Sequence, residues 1–220
     1  MTQPDPERVG FSGRRKPPRG PLVLLTLLAV LAAALGLGYT LARPRLVLTN
    51  RLAAPLRFTA ADAEPATVGP GQSVQISAPW GKSMLVSWEM VRPLSPDSRP
   101  MGETVSGSLL VRQRWGTVRR PIEARGPHGD YFAPLISNGS AEQLRIRVNA
   151  GLEGALDCGC AVRPDARRAF IGYYRLYQNS TVQAKAGGRQ TAAFRDLGSR
   201  VATPEGSIGL RFEGADLRAP

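Results

Sequence analysis

Histidine occurs once in this chain, at His128, and cysteine only twice, at Cys158 and Cys160. A single imidazole leaves a Ser-His-Asp arrangement one possible base, and no Gly-x-Ser-x-Gly elbow accompanies it. A metal centre needs three or four ligands, and beyond carboxylates such as Asp157 the chain offers two thiols and that one ring. There is no phosphate-binding glycine loop and no His-rich metal motif. No catalytic residue, metal ligand or cofactor site is therefore assigned, and the chain reads as non-catalytic.

Lysine is almost missing too: of 29 basic residues, 26 are arginine, and the lysines are Lys16, Lys82 and Lys185. Such a skew fits a GC-rich coding sequence, so a single arginine says little about a ligand. Residues 43–220 hold 24 basic and 15 acidic residues, a balance of +9. A surface of that sign attracts anionic headgroups or anionic polymers over a screened range. The arginines are dispersed from Arg45 to Arg218, without the aromatic and basic interleaving of an RNA-binding motif, so nucleic acid is not expected as a partner.

Past residue 42 no window keeps a helical period. Before it, Pro21 to Ala42 form an apolar run of 22 residues broken only by Thr26, Tyr39 and Thr40. At 1.5 Å per residue a helix of that length reaches across a hydrocarbon core of ~30 Å. The run is expected to be a single-pass transmembrane anchor with membrane lipid as its partner. Arg14, Arg15, Lys16 and Arg19 precede it, which keeps the N-terminus cytoplasmic and exports the remainder from a bacterial inner membrane. The alternative is a cleaved signal peptide ending at Thr40-Leu41-Ala42. Residues 1–20 read as a disordered cytoplasmic tail.

The exported part contains dispersed Gly and Pro and short alternating segments. Leu144, Ile146, Val148 and Ala150 alternate with Arg145, Arg147 and Asn149, and Ile208, Leu210 and Phe212 with Gly209, Arg211 and Glu213. About ten such strands predict an all-β, immunoglobulin-like antiparallel sandwich.

An internal repeat divides it further. Thr49-Asn50-Arg51-Leu52-Ala53-Ala54-Pro55-Leu56-Arg57-Phe58 aligns with Ser137-Asn138-Gly139-Ser140-Ala141-Glu142-Gln143-Leu144-Arg145-Ile146 at an offset of 88. Val68-Gly69-Pro70-Gly71 aligns with Val162-Arg163-Pro164-Asp165 at 94, and Gly107-Ser108-Leu109 with Gly206-Ser207-Ile208 at 99. Matches in one order with growing offsets predict two tandem related modules, residues 43–126 and 127–220.

Two constellations carry what chemistry there is. Cys158-Gly159-Cys160 lies in an insertion of the second module and, outside the cytoplasm, is expected to oxidise to a tight local disulfide, or else to act in redox exchange or metal binding. Ala169 to Gln178, read as one strand, places Ile171, Tyr173, Arg175 and Tyr177 on one face and Phe170, Gly172, Tyr174 and Leu176 on the other. Tyr173, Arg175 and Tyr177 are the candidate ligand-binding face, for a sugar ring or an anionic group. The function expected is that of a binding or structural module of the cell envelope, partnered by an envelope protein or an anionic polymer. The alternative is a thiol redox or metal-binding protein centred on Cys158 and Cys160.

Overall fold

The structure is a computed structural model that describes residues 20–41, 45–60, 63–77, 83–96, 98–112, 116–150, 152, 156–191 and 193–218. Of the tail expected at 1–20, residues 1–19 lie outside the described residues, as do the junction at 42–44, Trp80 and Trp115, and Gly20 opens a helix. The chain divides into two compact units, Met1–Ala42 and Arg43–Pro220.

In the first unit the apolar run forms helix α1, Gly20–Leu41. The expectation of a transmembrane anchor is corrected: among the described residues no helix is long and apolar enough to cross a membrane. Single-pass inner-membrane placement loses its support with it.

The second unit is mostly β structure, and strand accounts for 48% of the described residues. Its first half contains β1 (Arg45–Asn50), β2 (Leu56–Ala60), β3 (Ala63–Val68), β4 (Ser73–Ser77), β5 (Ser83–Met90), β6 (Ser106–Arg112) and β7 (Thr117–Ile122). Its second half contains β8 (Tyr131–Gly139), β9 (Leu144–Val148), β10 (Leu156–Val162), β11 (Ala169–Phe170), β12 (Tyr174–Arg175), β13 (Val182–Ala186), β14 (Arg189–Gln190) and β15 (Ser207–Glu213). A single helical turn, α2 (Leu197–Arg200), precedes β15.

The purely antiparallel sandwich expected from the sequence is corrected to four sheets, two of them mixed. The first half pairs β4-β1-β7 and β3-β2-β5-β6. The second pairs β10-β9-β13-β14, while β8 carries β11 and β12 as antiparallel partners and β15 as a parallel one. In each half the last strand runs parallel to the first, β7 along β1 and β15 along β8. A parallel pair needs a long crossover, and here the whole of each half supplies it.

Both halves use the same buried polar device. Asn50 is fully buried; its Nδ2 donates to the carbonyls of Ala54 and Val68, and its Oδ1 accepts from Leu52 N–H. Asn138 repeats the pattern: its Nδ2 donates to the carbonyls of Glu142, Val162 and Arg163, and its Oδ1 accepts from Ser140 N–H and Oγ. The carboxamide staples the turn after the first strand to the end of the third strand. These are the first two segments aligned by the repeat. The third alignment fails, because β6 ends the β3-β2-β5-β6 sheet whereas Gly206-Ser207-Ile208 opens β15. By register, β15 corresponds to β7: Ile122 lies opposite Asn50 and Phe212 opposite Asn138.

One hydrophobic cluster fills the first half, around Leu46, Leu48, Leu56, Phe58, Val86 and Trp88. A second fills the other half, around Ile136, Leu144, Ile146, Val182, Leu210 and Phe212. Strand β8 serves both: Tyr131 and Ala133 belong to the first cluster, Phe132 and Ile136 to the second. Four consecutive buried residues, Tyr131 to Pro134, are what a strand covered on both faces requires.

Removing either carboxamide leaves several buried backbone groups without partners, at about 1–3 kcal/mol per unmet group. Asn138→Ala, which strips three carbonyls, is expected to lower the thermal midpoint more than Asn50→Ala, which strips two. Calorimetry of the two variants against wild type checks both the fall and its order.

Candidate functional site

The segment expected to be one strand with a ligand-binding face is two short strands, β11 and β12, separated by a bulge at 171–173. Its cause lies across the ladder in β8. Phe170 pairs with Leu135 and Tyr174 with Phe132, so the gap faces Pro134, which has no N–H to give. Gly172, at φ 100°, takes the turn.

The bulge sends adjacent tyrosines into opposite cores. Tyr173 joins the first cluster and Tyr174 the second, and both are fully buried. The structure therefore does not bring Tyr173, Arg175 and Tyr177 onto one exposed face. Arg175 is exposed at the rim, where its guanidinium lies 5.7 Å from the centre of the Tyr131 ring and its N–H bonds the Glu103 carboxylate at 2.9 Å. Tyr177, 39% exposed, lies beyond β12, with its N–H bonded to Ser180 Oγ at 2.8 Å.

Tyr173 has instead become a fastener between the halves. Its hydroxyl accepts from Ala53 N–H at 2.8 Å and donates to the Glu205 carbonyl at 2.5 Å. Its carbonyl accepts from Glu103 N–H at 2.7 Å. Beside it Gly102, at φ 77°, approaches so closely that a Cβ there would fall 2.8 Å from Tyr173 N and O. Burial pushes the Tyr173 phenol above its ordinary value, with the Glu205 charge adding to the shift and the Ala53 hydrogen bond opposing it.

A cleft of about 620 Å³ is bounded by Trp88, Gly107, Arg120, Glu123, Arg125 and His128. His128 stands edge-on to Trp88 at 4.8 Å and stacks on Tyr131 at 6.3 Å. Its Nε2 lies 3.0 Å from the Glu123 carbonyl. A carbonyl only accepts, so Nε2 carries the proton. Desolvation lowers the His128 pKa below 6.5, against opposing pulls from the Glu123 carbonyl and the Asp130 charge. The His128 ring is a half-buried packing element between Trp88 and Tyr131, and among the described residues no hydroxyl or thiol is its hydrogen-bond partner.

Cys158 and Cys160 form a disulfide with Cα atoms 5.1 Å apart, and among the described residues no cysteine is free. They lie on β10, where the pairing to β9 slips between Asp157 and Ala161. Cys158 is half-buried, whereas Cys160 is buried beside the Tyr174 hydroxyl at 3.7 Å. Among the described residues no group of three or more His, Cys, Asp or Glu side chains is placed to hold a metal ion.

No family model matches the chain, and no curated protein does. Among solved structures it is similar to the TIE protein of Bacillus anthracis at 7% identity and a TM-score of 0.23, over 78% of this chain. The chain spans 34% of that protein's length. A likeness so slight bears on neither fold nor function.

Tyr173→Phe keeps the ring and deletes the hydroxyl, leaving a backbone N–H and a carbonyl unmet between the halves; a loss of about 1–3 kcal/mol is expected in urea unfolding. For His128 the pH sign follows from a folded pKa below the unfolded one. Its contribution is full above pH 6.5 and is lost as pH falls through the folded value. Stability of wild type is therefore expected to decline more steeply below pH 6.5 than that of His128→Gln, in denaturant midpoints measured across that range.

Proposed function

We propose that residues 43–220 form a non-catalytic binding module whose partner is acidic. The observation that carries this reading is the uncompensated arginine surface. The unit holds 24 basic and 15 acidic residues. Among the described residues the ion pairs are Arg51–Glu123, Arg189–Glu142 and Arg211–Glu213. The remaining described arginines, most of them exposed, form no ion pair among the described residues. The side chains most able to do chemistry are occupied otherwise: the imidazole between two aromatic rings, the thiols in a disulfide, and the Tyr173 hydroxyl between two backbone groups. The disulfide suits a compartment that keeps thiols oxidised, and the fastened halves suit a surface that holds its shape on binding.

The full chain is expected to bind immobilised polyglutamate saturably, with affinity falling steeply as salt is raised past the physiological range, and to ignore polylysine. Absence of binding to polyglutamate at low salt would overturn the reading.

A further inference from the structure

Strands β9 and β13 place Arg145 and Lys185 directly opposite one another. Both side chains alternate with buried neighbours, Leu144 and Ile146 on one strand and Ala184 and Ala186 on the other, and so stand on the outward face. Like charges opposed on adjacent strands destabilise a sheet. The next rung shows the ordinary arrangement: Arg147 has Gln183 on one side and Asp157 on the other. The Arg145 and Lys185 rung is flanked by Ala161 and Gln190, and neither residue forms an ion pair or a side-chain hydrogen bond among the described residues. The acid nearest in the chain, Glu142, is engaged by Arg189. Two adjacent cations without a counter-charge cost stability and bring the fold nothing in return.

They line a concavity of about 460 Å³ together with Gln143, Gly187, Gly188 and Gln190. Gly187 and Gly188, at φ 53° and 77°, form the two-residue turn joining β13 to β14, a left-handed geometry open to glycine. A Cβ at Gly187 would fall 2.8 Å from Glu142 Oε2, so glycine is what fits beside that carboxylate. Arg189, paired with Glu142, lines the concavity too, and the remaining polar lining, the Arg145 guanidinium, the Lys185 ammonium and two carboxamides, can donate to anionic oxygens. A planar fork beside a point cation suits a tetrahedral oxyanion with several acceptor oxygens better than a lone carboxylate. A phosphate monoester carries about −1.5 to −2 charge at pH 7, which the two cations match. The concavity exceeds a bare anion and leaves room for the group that bears it.

We propose that this face of β9 and β13 binds a phosphate group carried on a larger polyol or sugar, held by Arg145 and Lys185. The proposal rests on the binding reading above and names one site and one ligand class for it. The scarcity of lysine supplies the test, because Lys185 can be followed beside only Lys16 and Lys82. The full chain is acetylated with a limiting lysine reagent, alone or with inorganic phosphate, glycerol 3-phosphate or polyphosphate, and each lysine is quantified by mass spectrometry. Glycerol 3-phosphate is expected to slow modification of Lys185 roughly 5-fold or more while Lys16 and Lys82 react as before, and Arg145→Gln, melting as wild type, is expected to abolish that protection. Inorganic phosphate should protect more weakly, and protection by polyphosphate alone would assign the site to a polymer backbone instead. Equal protection of all three lysines, or none by any phosphate probe, would overturn the site. If polyglutamate is still bound in that case, the broader reading stands; if it is not, both fall.

Discussion

The hydroxyl of Tyr173 is the point on which the β unit turns. It joins the first turn of one half, through Ala53 N–H, to the approach of the last strand of the other, through the Glu205 carbonyl. For this oxygen to be fully satisfied in a buried position, three chain segments far apart in sequence must arrive together. The bulge opposite Pro134, the close passage of Gly102 and the double burial of β8 meet around the same residue. An unmet hydroxyl in that position costs more than any one packing contact around it, so the two halves form one compact unit.

Much of the local structure was legible in the residues. The alternation of Leu144 to Val148 and of Ile208 to Phe212 marked strands because each has one wet face. The repeat around Asn50 and Asn138 was legible because each Asn ends a strand ahead of a polar turn and a following Leu, and both carboxamides cap the turn in the same way. Strand β8 escaped because its residues are buried on both sides and show no alternation, and because Pro134 reads as a breaker. Strand β3 escaped for a related reason: its Pro65 is acceptable only because β3 is an edge.

The candidate ligand face was misjudged for a tertiary reason. Tyr173 does point away from Tyr174, as alternation required, but away from the core of one half meant into the core of the other. Periodicity tells which residues share a face and cannot tell what covers it. The Arg145 and Lys185 pair was half legible: Arg145 was read on the outward face of an alternating strand. Their opposition depends on a register set between segments about forty residues apart, and nothing local announces it.

The parallel closure of each half by its last strand bears on how the chain is made. Strand β1 cannot complete its sheet until β7 has been synthesised, and the first core also lacks Tyr131, Ala133 and Tyr173 until those residues leave the ribosome. For that interval β1 and β5 exist as nascent chain with exposed apolar faces, and their rewards are all distant in sequence. High contact order of this kind slows folding and leaves unpaired edges open to other chains. The arginines that mark the finished surface then bear on the unfinished chain as well, since strands such as β1, β2, β6 and β7 emerge with like charges that repel other nascent chains while the closing strands are awaited.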